Sequence, residues 1–459
     1  MIASLRQRFK ILDSRFLKSS AILAAGFALA RFLGLGFSLL LGRMLPAERY
    51  GYIQYIILIA GLLSIPTMPF FQHLVARQVS IHRDNTEQLH RVYTNAWIVM
   101  FGLCLLTVLF TIPLFVLAGT LDLGAYLIFF GVTLFYAYYG LARGFEDSTR
   151  LAIVFVSSNL IQLVVIAIVY VALREQSVLP ALAIYGLSYV VPVLLITALY
   201  PLPVRIRLKY FDWKTMKELI VAAVPIWISH STYAFANGAD VFILRRFSGD
   251  AVVGAYTFTK TLNIVFDFVP SALGTMIMPR AASMQSNRRR LMLMSAVGVL
   301  AISAVIAVVY LSLYQWIILS FFKPEYLLPA VAVITMIAMQ TIFGLQGVIS
   351  GMLIGVNRPA VEMGGRIITV ISLYVTCLLL IPPYGVVGAA VANLISSIIS
   401  VGSFVVLLEL RKRHERQQIA RKEQSMVAPN AAVPMPPDMP TASDETAVDD
   451  GTDTGDPSI

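Results

Sequence analysis

The chain has 459 residues, 58% hydrophobic and only 13% charged, and its 35 lysines and arginines outnumber 25 acids for a formal net charge of +10. With a mean hydropathy of +0.78, there is too little polar surface to coat a water-soluble globule. The basic residues lie in short segments between apolar runs, where they meet anionic headgroups and fix topology, so the composition points to membrane lipids and away from nucleic acid.

Residues 1–18 place Leu5, Phe9, Leu12 and Phe16 on one helical stripe, with Arg6, Arg8, Lys10 and Arg15 mostly elsewhere. This pattern suits an interfacial amphipathic helix, or equally a basic leader that only sets topology. The first apolar run is full length and lacks a cleavage site, so it is read as a retained span and not as a signal peptide. A helical span needs about 20 apolar residues, because every backbone polar group must be satisfied within the segment. Twelve runs qualify, near 19–42, 50–71, 93–118, 121–143, 151–173, 179–200, 217–244, 251–279, 291–320, 326–356, 361–381 and 384–409. Lys and Arg in the alternate connections number 26 on the N-terminal side and 6 on the other, which predicts that both termini are cytoplasmic.

Internal repetition divides the spans into halves. GRMLPAERYGYI resembles RRFSGDAVVGAYT: Arg43 and Gly51 recur as Arg246 and Gly254, an offset of 203. Tyr185 and Gly186 recur as Tyr384 and Gly385, an offset of 199. Six is even, so the halves are expected to be parallel repeats about an axis along the membrane normal. The expected organisation is a lobe over 19–200, a cytoplasmic linker over 201–216, a second lobe over 217–410, and a disordered cytoplasmic tail over 411–459. From 426 onward the tail carries seven acidic and no basic residues and cannot bury a core. It could dock polysaccharide-assembly proteins or simply remain solvated.

No phosphate-cradling loop, metalloprotease or hydrolase motif is present. Cys104 and Cys377 have no metal-type spacing and read as packing residues, and no metal site or cofactor is expected. The informative residues are polar ones at membrane depth. Arg31 lies midway along the first run, too deep to snorkel easily; it either grips a substrate phosphate or pairs with an acid such as Asp240 or Asp267. Lys260, Asn263 and Asp267 follow i, i+3, i+7 spacing and are expected on one helix face, as a substrate contact beside a coupling cation or as a self-neutralising stripe. Asp240 is a candidate for H+ or Na+ coupling, or for an interfacial salt bridge to Arg245 and Arg246. His230 reads as a hydrogen-bonded packing residue. Gly347, Gly351 and Gly355 suggest a flat face for close helix contact. Prolines 66, 69, 113, 192, 225 and 270 are expected to kink their helices.

The run ARFLGLGFSLLLGRMLPAERYGYIQY resembles the N-terminal signature of the polysaccharide transport family of flippases, within the multidrug/oligosaccharidyl-lipid/polysaccharide exporter superfamily. Three further blocks are similar and occur in the same order: AVPIWISHSTYAFANGADVFILRRFSGDAVVGAYTFTK, FFKPEYLLPAVAVI and LLLIPPYGVVGAAVANLIS. The resemblance implies an all-α fold of six plus six helices around a central cavity. It also implies transfer of a polyprenyl-diphosphate-linked oligosaccharide, such as an O-antigen unit, across the inner membrane to its outer leaflet. Arg31 and Lys260 fall in the matching blocks as diphosphate contacts, and Asp240 matches an acidic position. A diphosphate crossing hydrocarbon needs its hydration replaced, for which Asn159 and Asn263 are further candidates. The acidic tail departs from the family pattern. A cation-coupled multidrug exporter of the same superfamily is the alternative; a glycan polymerase lacks the large outer loop it would need, and a tail-based scaffold stays open.

Overall fold

A computed structural model describes residues 14–117, 119, 122–267, 270, 288–355 and 359–427, and among them all regular structure is helical. The residues proposed to form an N-terminal amphipathic helix lie mostly outside that set, as does the tail beyond 427. Among the described residues nine helices are long and apolar enough to cross a membrane, and the protein is a multi-pass membrane protein. Phe101, Leu105, Leu109 and Phe110 stand exposed along one such helix, as lipid-facing side chains do.

Helix α1 covers Ser14–Met44 and α2 covers Ala47–Leu63, entered through Pro46 in extended conformation (φ −65°, ψ 154°). The expected span over 50–71 is interrupted. After Leu63 the chain turns, then resumes as a π-helical stretch, Phe70–Val75, and a short helix α3, Ala76–His82. Pro66 and Pro69 bracket this turn, because neither supplies the N–H that would continue the ladder. The Pro66 carbonyl accepts the indole N–H of Trp227 at 2.7 Å, so the break leaves this oxygen bonded. Pro113, Pro192 and Pro225, by contrast, lie inside continuous helices.

Three helices continue the first half of the chain: α4 (Thr86–Leu117), α5 (Leu123–Gly144) and α6 (Ser148–Ile166), the last prolonged by π-helical Ala167–Ala172. Asp122 and Asp147 cap α5 and α6, accepting the N–H of Gly124 at 2.6 Å and of Arg150 at 3.0 Å. Helix α7, Leu179–Leu199, completes the set. The polar connection to the second half is anchored, not free. His90, Thr94 and Asn95 of α4 are buried and bond the backbone of Arg205, Arg207, Tyr210 and Asp212 at 3.1–3.4 Å.

Helix α8 runs from Trp213 to Leu262, broken at Gly249 (φ 80°, ψ 176°). This backbone lies in the left-handed region where a Cβ is disfavoured, so a glycine occupies the bend. A 3-10 turn, Asn263–Phe266, follows, and most of the remainder of the span expected to 279 lies outside the described residues. Helices α9 (Arg288–Phe321) and α10 (Ala330–Gly355) flank a 3-10 turn at Pro324–Tyr326. Helix α11 extends from Pro359 to Val427 with a break at Gly385 (φ 54°, ψ −126°), just after Pro382 and Pro383. It therefore overruns the disordered tail expected from 411. Residues 411–425 are rich in Arg, Lys, Glu and Gln, which favour helix even in water. Among the described residues, those through Leu408 form one compact unit and those from Glu409 to Val427 belong to another.

The two halves meet at an aromatic cluster. Tyr50 of α2 packs edge-on against Phe258 of α8 (5.6 Å between centroids) and Tyr326 (5.9 Å). Gly347, expected to pack closely, has no atom near its would-be Cβ; it is the next residue to Gln346, which lines a cavity, so this part of α10 borders open space.

Candidate substrate cavity

Two cavities lie side by side at membrane depth. The first, about 510 Å³, is lined by Lys260 and Asp267 together with Gln54, Thr257, Gln340 and Asn393. The second, about 540 Å³, is built entirely from the first half of the chain and includes Arg31 and Asn159. Such sizes suit small-molecule or headgroup ligands.

Arg31 and Asp267 join the two. The Arg31 Nη1 lies 3.7 Å from Asp267 Oδ2, with side chains 54% and 26% exposed. At a distance near the limit for an ion pair and with its side chain more than half exposed, Arg31 lines the second cavity with donors that Asp267 does not saturate. Of the two acids the sequence offered as its partner, Asp240 and Asp267, it is Asp267 that stands beside Arg31.

Asp240 is 1% exposed and belongs to a closed network. Its Oδ2 accepts from Lys260 Nζ at 2.8 Å, Tyr256 Oη at 2.7 Å and Asn393 Nδ2 at 3.1 Å, while Oδ1 accepts the Val241 N–H at 2.9 Å. The expected bridge from Asp240 to Arg245 is thus replaced. Arg245 pairs with Asp250 at 2.6 Å, and its guanidinium lies 3.6 Å from the centroid of Tyr55. The physical reason is reach: Lys260 lies on the helix beyond the Gly249 break, which folds back so that its ammonium meets the buried carboxylate. Lys260 nonetheless keeps 36% of its side chain exposed on the first cavity.

Lys260 and Asp267 share that cavity as the spacing predicted, but Asn263 does not join them. Asn263 stands at the junction of the α-helix and the 3-10 turn, and its side chain packs inward instead of lining the cavity. It is 2% exposed, and neither amide atom has a hydrogen-bond partner among the described residues. Asn159 donates to its own Phe155 carbonyl at 2.9 Å and borders the second cavity. His230 is hydrogen-bonded, with its Nε2 3.0 Å from that of His73. Cys104 and Cys377 are buried and unbonded to each other. Among the described residues no cluster of three or more His, Cys, Asp or Glu gathers.

The sequence reading missed Tyr256 and Asn393. Tyr256 is one helical turn before Lys260, so its spacing was available; Asn393 is a lone amide in the apolar run AVANLIS, whose partner only the fold reveals.

A helical membrane protein with a polar cavity between its two halves has a place where a polar solute could be held away from lipid. The chain belongs to the family described as polysaccharide biosynthesis protein, whose model matches residues 16–285. Its fold is similar to that of the lipid II flippase MurJ in an inward closed conformation, with a TM-score of 0.67, 13% identity, and coverage of 85% of this chain and 87% of that one. It is also similar to an inward-facing multidrug resistance MATE family transporter of the MOP superfamily, with a TM-score of 0.60, 16% identity, and coverage of 85% and 99%. A MOP superfamily transporter from Pyrococcus furiosus, described as having a binding pocket of reversed polarity, aligns with a TM-score of 0.54, 16% identity, and coverage of 86% and 94%. No curated protein sequence matches the chain.

Proposed function

We propose that the protein is a flippase that carries a polyprenyl-diphosphate-linked oligosaccharide from the cytoplasmic to the outer leaflet of the inner membrane by alternating access. The observation that carries this reading is Arg31: a guanidinium at membrane depth, open to a cavity and only loosely held by Asp267 at 3.7 Å. A diphosphate cannot enter hydrocarbon without replacement of its hydration shell, and Arg can supply paired N–H donors to it. Lys260 contributes a second cation on the neighbouring cavity, and Asn159 a further polar contact. The sugars cross within the protein while the prenyl chain trails through lipid.

The moving parts in this reading are two lobes of six spans, 19–200 and 217–410, joined by the linker 201–216. In this reading, three further spans are counted beside the nine long apolar helices found among the described residues. These are α2, 17 residues long, the segment 250–266 after the Gly249 break, and division of the last apolar helix at Gly385. Even parity puts both termini on one side, which the excess of Lys and Arg in the connections assigns to the cytoplasm.

Of the two coupling candidates, Asp267 is the better suited to H+ or Na+. Asp240 already accepts from four donors, and an entering cation would first have to displace Lys260. Protonating Asp267, by contrast, releases Arg31 toward substrate. Replacing Arg31 by Ala, with insertion and abundance unchanged, is expected to abolish export and accumulate the lipid-linked glycan on the cytoplasmic side; full export would remove Arg31 from the mechanism. A cation-coupled small-molecule exporter is the second reading, favoured by the MATE-like fold. Depletion of such a protein would alter drug sensitivity and leave lipid-linked glycans at their normal level.

A further inference from the structure

Arg31 and Asp267 form one ion pair but border different cavities, Asp267 the first and Arg31 the second. The pair is therefore a partition, and the chemistry on its two sides differs. The first cavity carries the charges of Lys260 and Asp267. The second holds no charged side chain besides Arg31 in its lining, and its walls combine aromatic rings with amides: Tyr136, Tyr139 and Phe155 beside Asn159 and Gln72.

The rings are fixed by one another. Tyr136 and Tyr139 meet edge to face at 5.7 Å between centroids, and Tyr139 and Phe155 at 5.6 Å. Gln72 presents a buried Oε1 with no hydrogen-bond partner among the described residues. A buried acceptor left unbonded is costly unless something supplies a donor.

A prenyl chain would use the rings but has no donor for Gln72. A phosphate would use Arg31 but is repelled by the negative faces of the rings and cannot donate as a dianion. A pyranose satisfies both features, because its C–H face packs on the electron-rich face of an aromatic ring while its hydroxyls donate and accept. A volume of about 540 Å³ is in the ordinary range for a ligand site.

We infer that this second cavity is the sugar subsite of the transported lipid, receiving the carbohydrate next to the diphosphate, with Tyr136 as its stacking surface, Gln72 as acceptor of a sugar hydroxyl, and Arg31 at the boundary holding the phosphate. This deepens the flippase reading and rests on it. Filling the subsite draws the diphosphate to Arg31 and frees Asp267, so sugar recognition and opening of the partition are one event.

The test compares two probes on the full-length purified protein in nanodiscs: farnesyl diphosphate, and farnesyl diphosphate bearing one N-acetylglucosamine. The wild type is expected to bind the glycosylated probe about tenfold more tightly, as one stacking contact and one hydrogen bond together provide. Gln72→Leu removes a side-chain oxygen that has no partner among the described residues, and it is expected to bring the two affinities within about twofold of each other. Tyr136→Leu should act likewise, and Tyr136→Phe, which keeps the ring, should retain the preference. Arg31→Gln should weaken both probes alike and leave their ratio unchanged. A wild type without preference for the sugar, or a preference that survives both Gln72→Leu and Tyr136→Leu, overturns the subsite and leaves the flippase reading standing. Unchanged binding of both probes by Arg31→Gln overturns the flippase reading itself, and so does a wild type that binds neither.

Discussion

Gly51 of α2 and Gly254 of α8 stand back to back, and their contact is reciprocal. A Cβ on Gly51 would strike the carbonyl oxygen of Asp250, and a Cβ on Gly254 would strike that of Ala47. Gly254 is Gly51 displaced by the repeat offset of 203, and Asp250 is Ala47 displaced by the same amount. When residue i touches the copy of j, and j touches the copy of i, a two-fold axis passes between them. The repeat inferred from a few matching letters therefore has a physical counterpart at the crossing of the halves.

That crossing sits at the end of α1 and α2 assigned to the outer side. Overpacking a tight contact costs about 1–3 kcal/mol, so Gly51→Ala should loosen this contact between the halves by that amount and raise labelling of a cysteine placed at the buried Leu45 by an impermeant thiol reagent. Gly254→Ala should do the same, and the double variant should add little, because both substitutions act on one interface. Unchanged labelling in both would dissociate the contact from closure.

Glu325 closes the same face from the second half. Pro46 offers α2 no side-chain cap, and the Ala47 N–H donates instead to Glu325 Oε1 at 2.8 Å, while Tyr326 Oη donates to the Leu45 carbonyl at 3.0 Å. Glu325→Ala should lower the unfolding temperature as loss of a cap of about 1 kcal/mol does, with Glu325→Gln costing less. A thermal scan that ranks Gln and Ala equally would argue against a capping role.

The Asp240–Lys260 pair predicts an asymmetry. Asp240 is buried and Lys260 reaches a cavity, so Lys260→Met strands a buried carboxylate, at a cost of about 3–5 kcal/mol. Asp240→Asn leaves an ammonium that can turn into the cavity, and should cost clearly less. The double variant should recover much of the loss. Equal effects of the two single changes, read by thermal unfolding in detergent, would contradict this account.

Asp212 gives a pH dependence in the linker. The Thr215 hydroxyl, the N–H groups of Thr215 and Lys214, and nearby Arg91 hold its carboxyl below the usual carboxylate range. A depressed folded-state pKa contributes stability that is present above the unfolded pKa and lost as pH falls through the folded one. Unfolding temperature should therefore decline on acidification below the ordinary carboxylate range, and Asp212→Asn should flatten that part of the curve.

The helices were largely legible because apolar runs of span length leave the backbone no alternative in lipid. The breaks were legible in part. Those at Gly249 and Gly385 fall where the spans were divided, because Ser248-Gly249-Asp250 and Pro382-Pro383 disfavour continuation, whereas the π-helical stretch after Pro69 has no composition of its own. In the cavities, single residues were legible and partnerships were not. Arg31, Lys260, Asp240 and Asp267 each announced themselves as costly polar groups at membrane depth, but which carboxylate meets which cation depends on the bend at Gly249. Asn263 was assigned to the cavity face, whereas its side chain is buried at the junction of the α-helix and the 3-10 turn.

The central claim is that Arg31 serves the substrate and does more than neutralise Asp267. The most direct measurement is export of the lipid-linked glycan by the double variant Arg31→Met, Asp267→Leu, at wild-type abundance, beside the two single variants. The account predicts that export stays lost in the double variant, because the diphosphate still lacks its guanidinium. Recovery of export once both charges are gone would mean that the pair is only structural, and would contradict it.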